Sequence, residues 1–280
     1  MTAVLPKLLR WTYRRAFPRW VKNALAFSLT EIEHYQPPQL LDLPPGRRIL
    51  VLAPHADDES IGCGGTLRKY VQSGALVHVA FLADGSLGNR EIRKLPANDA
   101  QRAPRIAALV RQRRDEAAGA LAVLGISAYS FLSAHDDEIN IQNSRLIAEL
   151  AQLLREVKPE TVFLPFMTDR HPDHSATSAC LLASLEQVDM PALRKIMLCA
   201  YEIWSPVHAN ILVDITTQVE TKRRALEQYV SQLSETDYVA SSLGLNRYRS
   251  ITALHGNGYC EAFYMTSLDD YRRLHRRMQV

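Results

Sequence analysis

The chain has 280 residues, of which 47% are apolar and 22% charged, and its formal net charge is +3. This composition is at the average for soluble globular proteins and predicts a sizeable hydrophobic core. The cysteines lie far apart and form neither a dense disulfide framework nor a C-x-x-C metal motif, which indicates a reducing, cytoplasmic compartment. They are Cys63, Cys180, Cys199 and Cys260.

The positive charge is concentrated in residues 1–22, which carry six basic side chains and no acidic one. Removing those six charges from the net of +3 leaves −3 for the rest of the chain. The excess of basic residues is therefore local, and we expect no nucleic-acid partner.

The same basic region also contains large apolar side chains, among them Trp11, Phe17 and Trp20. Arginines interrupt every apolar run, so the region is neither a signal peptide nor a spanning helix, and we expect no export. An amphipathic segment at residues 1–30 can rest on an anionic membrane surface, which would hold the protein at the inner face of the membrane. Alternatively, the segment is a helix that packs on the domain and extends its arginines into water.

Short apolar runs bounded by turn residues predict buried strands, beginning with residues 48–53. The other runs are at 77–82, 129–132, 161–166, 196–200 and 211–215. Apolar residues recur at helical spacing between them, most clearly at 106–124 and 146–157. This alternation predicts an α/β fold, a Rossmann-like three-layer domain with a mainly parallel sheet, whose sites lie beyond the carboxyl ends of the strands.

Neither a repeat nor a linker follows residue 46, so we expect a basic amphipathic extension at 1–46 and a single domain at 47–280. The polar segment 89–105 contains two prolines and predicts a long surface loop that borders the site. Aromatic and basic residues at 238–248 are candidates for shaping a substrate pocket, although packing on a helix surface would explain them equally well.

A cluster of polar residues follows the first predicted strand directly, with the sequence Pro54-His55-Ala56-Asp57-Asp58-Glu59. Burying an imidazole and three carboxylates for a purely structural purpose would be costly. A solvated surface turn holds such residues without that cost. The cluster alone is compatible with either interpretation.

A second cluster follows the predicted strand 161–166, with the sequence Asp169-Arg170-His171-Pro172-Asp173-His174. Two loops at the ends of two strands can converge on one point. Imidazole nitrogen and carboxylate oxygen suit zinc, or Fe²⁺ or another divalent ion, and a catalytic site needs three protein ligands and one open position. His55, either Asp57 or Asp58, and His174 would supply that set.

The other polar groups of the two clusters then have chemical roles. The aspartate that does not bind the metal is a candidate general base, which would take a proton as water attacks a carbonyl carbon. His171, protonated beside Asp173, would donate to the oxyanion of the tetrahedral intermediate. Cys63 also lies near the first cluster, but no activating partner is evident, so we interpret it as a small buried bystander.

By these two clusters the chain resembles the PIG-L/LmbE-like family of N-acetyl sugar deacetylases. The family signature is an (A/P)-H-x-D-D-E motif and a later H-P-D-H motif, and here they are residues 54–59 and 171–174. The likeness covers about residues 47–265. It includes Gly62-Cys63-Gly64-Gly65, Asp84-Gly85, Arg113-x-x-Glu116, Tyr201-Glu202-x-Trp204, Lys222, Tyr229-x-Ser231-Gln232 and Tyr259-x-Glu261.

The resemblance implies a role for each matching residue. The metal ligands would be His55, Asp58 and His174, and the general base would be Asp57. His171 would stabilise the oxyanion, Asp173 would orient His171, and Arg113 would contact substrate, although the pattern Arg111-Gln112-Arg113-Arg114 also suits a solvated charge. Ala56 replaces the family's usual proline, which should loosen the loop slightly without removing a ligand.

The resemblance implies a zinc-dependent hydrolase that removes the N-acetyl group of an N-acetylglucosamine-type sugar in a glycan, glycolipid or glycoconjugate and releases acetate. Three alternatives stay open. The same chemistry would serve an amide substrate that is not a sugar. A protein that lost turnover would bind a sugar or a membrane. Two histidines and a carboxylate also match the triad of non-haem iron oxygenases.

Overall fold

The computed structural model describes residues 37–278. The expectations for residues 1–30 therefore lie outside the described residues. A compact unit extends from Pro38. It begins before the boundary at residue 47 that we expected from the sequence, because a short strand at residues 39–41 already belongs to the sheet.

One sheet of eight strands runs through the compact unit, in the order β1-β7-β8-β6-β5-β2-β3-β4. All neighbouring pairs are parallel except those of β8, which runs antiparallel to β6 and β7. This confirms the predicted α/β class with a mainly parallel sheet. The strands are β1 (Gln39–Leu41), β2 (Arg48–Ala53), β3 (Leu76–Ala83), β4 (Ala128–Ala134), β5 (Thr161–Pro165), β6 (Met197–Tyr201), β7 (Ile211–Asp214) and β8 (Cys260–Ser267).

Helices cover both faces of the sheet. They are α1 (Asp58–Gln72), α2 (Arg90–Lys94), α3 (Arg102–Leu124), α4 (Ser144–Val157), α5 (Pro172–Glu186), α6 (Val219–Leu226), α7 (Val230–Leu233), α8 (Tyr238–Leu254) and α9 (Leu268–Met278). A short 3₁₀ helix occupies Pro191–Lys195. Among the described residues, no helix has both the length and the apolar character needed to cross a membrane.

The central strand β2 contributes to a hydrophobic core on each face. Successive side chains of a strand point to opposite faces of the sheet. Leu50 and Leu52 therefore join the core that contains residues of α4 and α5, whereas Ile49 and Val51 join the core that contains residues of α1 and α3. Burial on both faces explains why residues 49–53 of β2 are all apolar and why the strand was recognisable from the sequence.

The position of β2 in the sheet decides where the site lies. β2 pairs in parallel with β3 on one side and with β5 on the other. The carboxyl ends of β2 and β5 therefore lie side by side, at the point where the strand order reverses. The two polar loops that follow these strands leave the sheet at the same edge.

A candidate metal centre at the ends of two strands

The loop after β2 makes a strained turn at Asp57. This residue has φ of 135° and precedes the first turn of α1. Residues other than glycine rarely adopt such a conformation, and it persists where the surrounding structure holds it, often at functional sites. The Oδ2 of Asp58 accepts a hydrogen bond of 2.9 Å from the backbone N–H of His55, which closes the turn.

Glu59 is fully buried and holds this turn from behind. Its Oε1 accepts hydrogen bonds of 2.5 Å from the hydroxyls of Ser60 and Tyr229. Its Oε2 accepts from the backbone N–H of Asp57 at 3.3 Å. Glu59 therefore stabilises the turn and does not face the candidate metal centre. The sequence alone did not distinguish this role from those of the two aspartates.

Helix α1 is anchored by a buried ion pair. The Nζ of Lys222 lies 2.7 Å from Oε1 of Glu261, and both side chains are 0% exposed. The Glu261 carboxylate also accepts from the backbone N–H groups of Gly65 at 2.9 Å and Thr66 at 2.7 Å. Lys222 donates further to the carbonyl of Ile61 at 2.8 Å, so this pair ties α6 and β8 to the helix that carries Asp58.

The loop after β5 is organised by the start of α5. His171 is the N-cap, and its Nδ1 accepts a hydrogen bond of 3.2 Å from the backbone N–H of Asp173. Pro172 occupies the first turn, where its missing N–H costs nothing. The Oδ1 of Asp169 accepts from the backbone N–H of His171 at 3.0 Å. These contacts fix the orientation of the imidazoles of His171 and His174.

The two loops bring three ligand atoms into a tight triangle. The Nδ1 of His55 lies 3.4 Å from Oδ2 of Asp58, and the Nε2 of His174 lies 3.3 Å from that same oxygen. The two ring nitrogens are 3.3 Å apart. A tetrahedral ion with bonds of about 2.0 to 2.1 Å separates its ligand atoms by about 3.3 to 3.4 Å. The triangle fits one such ion and leaves its fourth position open.

The opposite nitrogen of each imidazole in the triangle meets a carboxylate. The Nε2 of His55 lies 3.0 Å from Oδ2 of Asp173, and the Nδ1 of His174 lies 3.1 Å from Oδ1 of Asp169. Carboxylates in this position orient metal-binding histidines and raise their basicity. The ring orientations therefore match those of ligands in zinc sites.

The electrostatics of the triangle favour a cation. Burial lowers the pKa of both imidazoles, but the surrounding carboxylates outweigh burial and raise the pKa of His55 to about 10 and that of His174 to about 9. Burial raises the pKa of Asp58, yet the two imidazoles hold it well below its usual range. The site thus stabilises positive charge, and a divalent ion would supply it.

His171 is an alternative third ligand. Ring nitrogens of His55, His171 and His174 all lie within 4.8 Å of one another. However, the Nδ1 of His171 is engaged as the helix cap. Asp58 carries a negative charge, and its Oδ2 lies closer to the other two ligand atoms than the 4.8 Å limit that includes His171. We therefore favour His55, Asp58 and His174 as the ligand set.

Asp173 contacts both of the other histidines of the site. Its carboxylate contacts the His55 ring at 3.0 Å and accepts from the backbone N–H of Asp137 at 3.1 Å, while its own backbone N–H donates to Nδ1 of His171. Burial and then the charges of His55 and His174 lower the pKa of His171. With Nδ1 accepting a hydrogen bond, the neutral ring carries its proton on Nε2 and remains a donor.

Asp57 lies beside the triangle and faces Arg113. Burial and the charge of Asp58 raise the pKa of Asp57 to about 8, and Arg113 opposes this rise. The guanidinium donates to the carbonyl of Ala56 at 2.8 Å and lies 3.9 Å from Oδ2 of Asp57. Arg113 is only 3% exposed, so its interpretation as a solvated charge is wrong.

One cavity of about 240 Å³, which we term the site cavity, is lined by His55, Asp57, Asp58, Arg113, His171 and His174. Residues from other segments complete its wall. Leu87, Asp136 and Asp137 were not indicated by the sequence, whereas Arg90, Trp204, Gln232 and Tyr238 belong to segments or motifs that the sequence analysis singled out. Part of the segment 89–105 thus borders the site, but it contains helix α2 and the beginning of α3 rather than a continuous loop. Cys63 is buried away from the cavity lining, and burial raises its pKa well above the usual value.

Part of the chain is similar in sequence to proteins of known families. Residues 50–185 match the family described as PIG-L, GlcNAc-PI de-N-acetylase. The chain is 28% identical over 201 residues to the diacetylchitobiose deacetylase of Thermococcus kodakarensis, which covers 68% of this chain and 71% of that protein. Residues 50–185 are therefore similar to the PIG-L family, and the relative of similar sequence is a deacetylase.

Two further similarities are limited, the first in the share of the chains that it covers and the second in sequence identity. The chain is 32% identical over 162 residues to the 1D-myo-inositol 2-acetamido-2-deoxy-alpha-D-glucopyranoside deacetylase of Kineococcus radiotolerans, over 48% of this chain and 43% of that protein. The solved structure of the 4-carboxy-2-hydroxymuconate hydratase of Pseudomonas putida KT2440 matches with a TM-score of 0.63 at 20% identity, over 78% of this chain and 95% of that one. At this identity, the likeness to the hydratase shows the fold alone. The fold is therefore not restricted to deacetylases.

Proposed function

We propose that the chain is a zinc-dependent N-deacetylase that removes the acetyl group from an N-acetylglucosamine-type sugar and releases acetate. The triangle of His55, Asp58 and His174, with Asp57 beside it, is the observation that carries the proposal. The relatives named as deacetylases of N-acetylated amino sugars support the same substrate class.

Zinc, when bound by the three ligands, supplies Lewis-acid activation of water and of the amide carbonyl. Asp57 accepts a proton from water as the water oxygen bonds to the carbonyl carbon. The Nε2–H of His171 donates to the oxygen on which negative charge develops. Asp57 then returns the proton to the nitrogen as the C–N bond breaks, which gives acetate and the free amine. Arg113 holds the Ala56 carbonyl and positions Asp57 for both transfers.

Acetate release tests the proposal. The full chain, loaded with zinc or stripped with a chelator, is assayed with N-acetylglucosamine, N,N′-diacetylchitobiose and N-acetylglucosaminyl glycolipids. We expect acetate in amounts equal to the free amine formed, only from the zinc-loaded protein. Folded, zinc-loaded protein that releases no acetate from any of them would contradict the proposal and favour an amide that is not a sugar, or a binding role.

The N-terminal segment is a separate proposal. We propose that residues 1–30 hold the protein at an anionic membrane surface, because basic and aromatic side chains alternate there. The full chain should sediment with phosphatidylglycerol vesicles and not with neutral ones, and a chain lacking residues 1–30 should stay in the supernatant. Equal sedimentation of both chains would reject this role.

A further inference from the structure

The loop after β3 makes a tight turn at residues 85–88, which we term the glycine turn. Gly85 has φ of 72°, and the backbone N–H of Gly88 donates to the Gly85 carbonyl at 3.1 Å, which closes the turn. Leu87 and Gly88 line the site cavity. The glycine turn therefore forms part of the wall beside the metal centre.

The side chain of Arg113 packs directly against the glycine turn. A Cβ on Gly85 would lie 2.6 Å from both Cδ and Nη1 of Arg113, and a Cβ on Gly88 would overlap Nη1. The Nε of Arg113 is buried and has no hydrogen-bond partner among the described residues. The position of the guanidinium therefore depends on packing against the turn as well as on its hydrogen bond to Ala56.

The carboxylate of Asp136 holds the glycine turn from the end of the neighbouring strand. Asp136 follows β4, which pairs in parallel with β3, so the two loops leave the sheet at the same edge. Its Oδ1 accepts from the backbone N–H of Gly85 and its Oδ2 from that of Leu87, each at 2.8 Å. Backbone N–H groups of a turn can form a concave anion site, and here a carboxylate of the same chain fills it.

We propose that Asp136 is a positioning residue of the active site, which fixes the glycine turn and thereby holds Arg113 against the loop that carries Asp57. This rests on the proposed deacetylase function. The guanidinium of Arg113 donates to the Ala56 carbonyl at 2.8 Å and lies 3.9 Å from Oδ2 of Asp57. A displaced turn would release the guanidinium from this place, and a shift of about 1 Å in a supporting group can cost about a hundredfold in rate.

Two other roles for Asp136 have less support. Its Oδ1 lies 4.0 Å from Nε2 of His55, but Asp173 lies 3.0 Å from that nitrogen and is the closer partner. Asp136 also lines the site cavity, but backbone hydrogen bonds already engage both of its carboxylate oxygens. A residue that acts through Arg113 loses its effect once Arg113 is removed, which neither of the other roles predicts.

A double-mutant cycle between Asp136 and Arg113 tests the proposal. Asp136→Asn keeps the shape of the side chain, but its NH₂ group would face the N–H of Gly85 or Leu87 instead of accepting from it. We expect kcat for acetate release to fall by about tenfold to a hundredfold, with unchanged zinc affinity. In the Arg113→Met background the same substitution should change kcat by less than about twofold. Glu138→Gln is the matched control, because Glu138 is exposed in the same loop.

Gly88→Ala gives a second test that leaves the Asp136 hydrogen bonds in place. Its methyl group would intrude on Nη1 of Arg113, so it should lower kcat and should lose this effect in Arg113→Met. The assay uses zinc-loaded full chain and the N-acetylated sugar that the wild type turns over fastest. Wild-type kcat in Gly88→Ala, or losses that multiply with that of Arg113→Met, would overturn the proposal. A lower zinc affinity in Asp136→Asn would assign Asp136 to His55 instead.

The buried Nε–H of Arg113 gives a measurement that does not depend on turnover. Its ¹H–¹⁵N signal is assigned by its loss in Arg113→Met. Asp136→Asn should shift or broaden this signal, whereas Glu138→Gln should leave it unchanged. An unmoved signal in folded Asp136→Asn would reject the positioning role. A moved signal in a protein that releases no acetate would retain the hold of Asp136 on Arg113 and reject the deacetylase function.

Discussion

Two adjacent aspartates have pKa values that are shifted in opposite directions in this site. Asp58 lies between two imidazoles, which lower its pKa, whereas burial and the negative charge of Asp58 raise the pKa of Asp57 to about 8. Carboxyl groups whose environments separate their pKa values in this way commonly divide ligand and proton-transfer roles between them.

The separate roles of these aspartates predict a selective effect of Asp57→Asn. The variant should retain bound zinc, because Asp57 is not in the triangle, and should lose about a hundredfold to ten-thousandfold of kcat, the usual contribution of a positioned general base. Zinc content by atomic emission and acetate release by enzymatic assay measure the two properties. Asp115→Asn, on the exposed side of α3, is the control. Unchanged kcat would remove Asp57 from the mechanism.

The carboxylates behind the imidazoles predict an effect on metal affinity. Asparagine keeps the shape of the aspartate side chain but removes its charge. Asp169→Asn should therefore weaken the hydrogen bond to His174, and Asp173→Asn the one to His55. We expect zinc affinity to fall by about tenfold to a hundredfold in each, as for similar positions in other metal sites. Competition with a fluorescent chelator measures this affinity. Wild-type affinity in both variants would show that these carboxylates do not position the ligands.

The two sequence motifs indicated His55 and His174, and the family resemblance indicated Asp58; the structure brings these three candidate ligands close together. His55, Asp58 and His174 follow strands, and the carboxyl ends of parallel neighbours meet at one edge. The partners of the imidazoles were not predictable in the same way, because the choice of Asp173 for His55 depends on which way each ring turns. Asp169 could have been recognised as a carboxylate five residues before His174 in the same loop.

The glycines of α1 allow other elements to pack closely against the helix that carries Asp58. A Cβ on Gly62 would lie 2.2 Å from Cδ2 of Tyr201, whose hydroxyl donates to the Leu52 carbonyl at 2.8 Å. Gly62→Ala should therefore lower the free energy of unfolding by about 1 to 3 kcal/mol, through overpacking.

Gly244→Ala is the matched control for Gly62→Ala. Gly244 lies within α8, and a Cβ there would meet nothing within 4 Å. The alanine should raise stability by about 0.5 to 1 kcal/mol through helix propensity. Urea unfolding measures both variants, and equal effects of the two substitutions would contradict the close packing of Tyr201 on α1.

The buried pair of Lys222 and Glu261 predicts a larger loss. Lys222→Met leaves the Glu261 carboxylate charged and fully buried, so we expect about 3 to 5 kcal/mol less stability. Arg194→Met breaks an exposed pair with Asp189 whose side chains are 75% and 93% exposed, and it should change stability by less than about 1 kcal/mol. Comparable losses in the two variants, measured by urea unfolding, would mean that burial does not govern this pair.

Strands that contain a continuous apolar run were predictable, and β1 and β8 were missed. β2 and β5 contain such runs, because residues 49–53 and 162–164 each pack in one core or the other. β8 has the fully buried Glu261 within it, which interrupts the apolar pattern, and β1 is only three residues long. The antiparallel position of β8 between β6 and β7 depends on tertiary pairing and has no local signal.

The fold as a whole holds the two polar loops together at one edge of the sheet. Metal binding should stabilise the native state, by about 4 kcal/mol when free zinc is a thousandfold above its dissociation constant. Thermal unfolding with and without chelator measures the effect. His174→Ala should abolish the difference, whereas an equal difference in that variant would place the stabilising ion elsewhere.

Anomalous diffraction at the zinc edge, from crystals of zinc-loaded protein that releases acetate, tests the metal centre most directly. We predict one strong peak bonded to Nδ1 of His55, a carboxylate oxygen of Asp58 and Nε2 of His174, with Asp57 unbonded beside it. A peak at any other set of residues, or active crystals with no peak between these three side chains, would contradict the proposed mechanism.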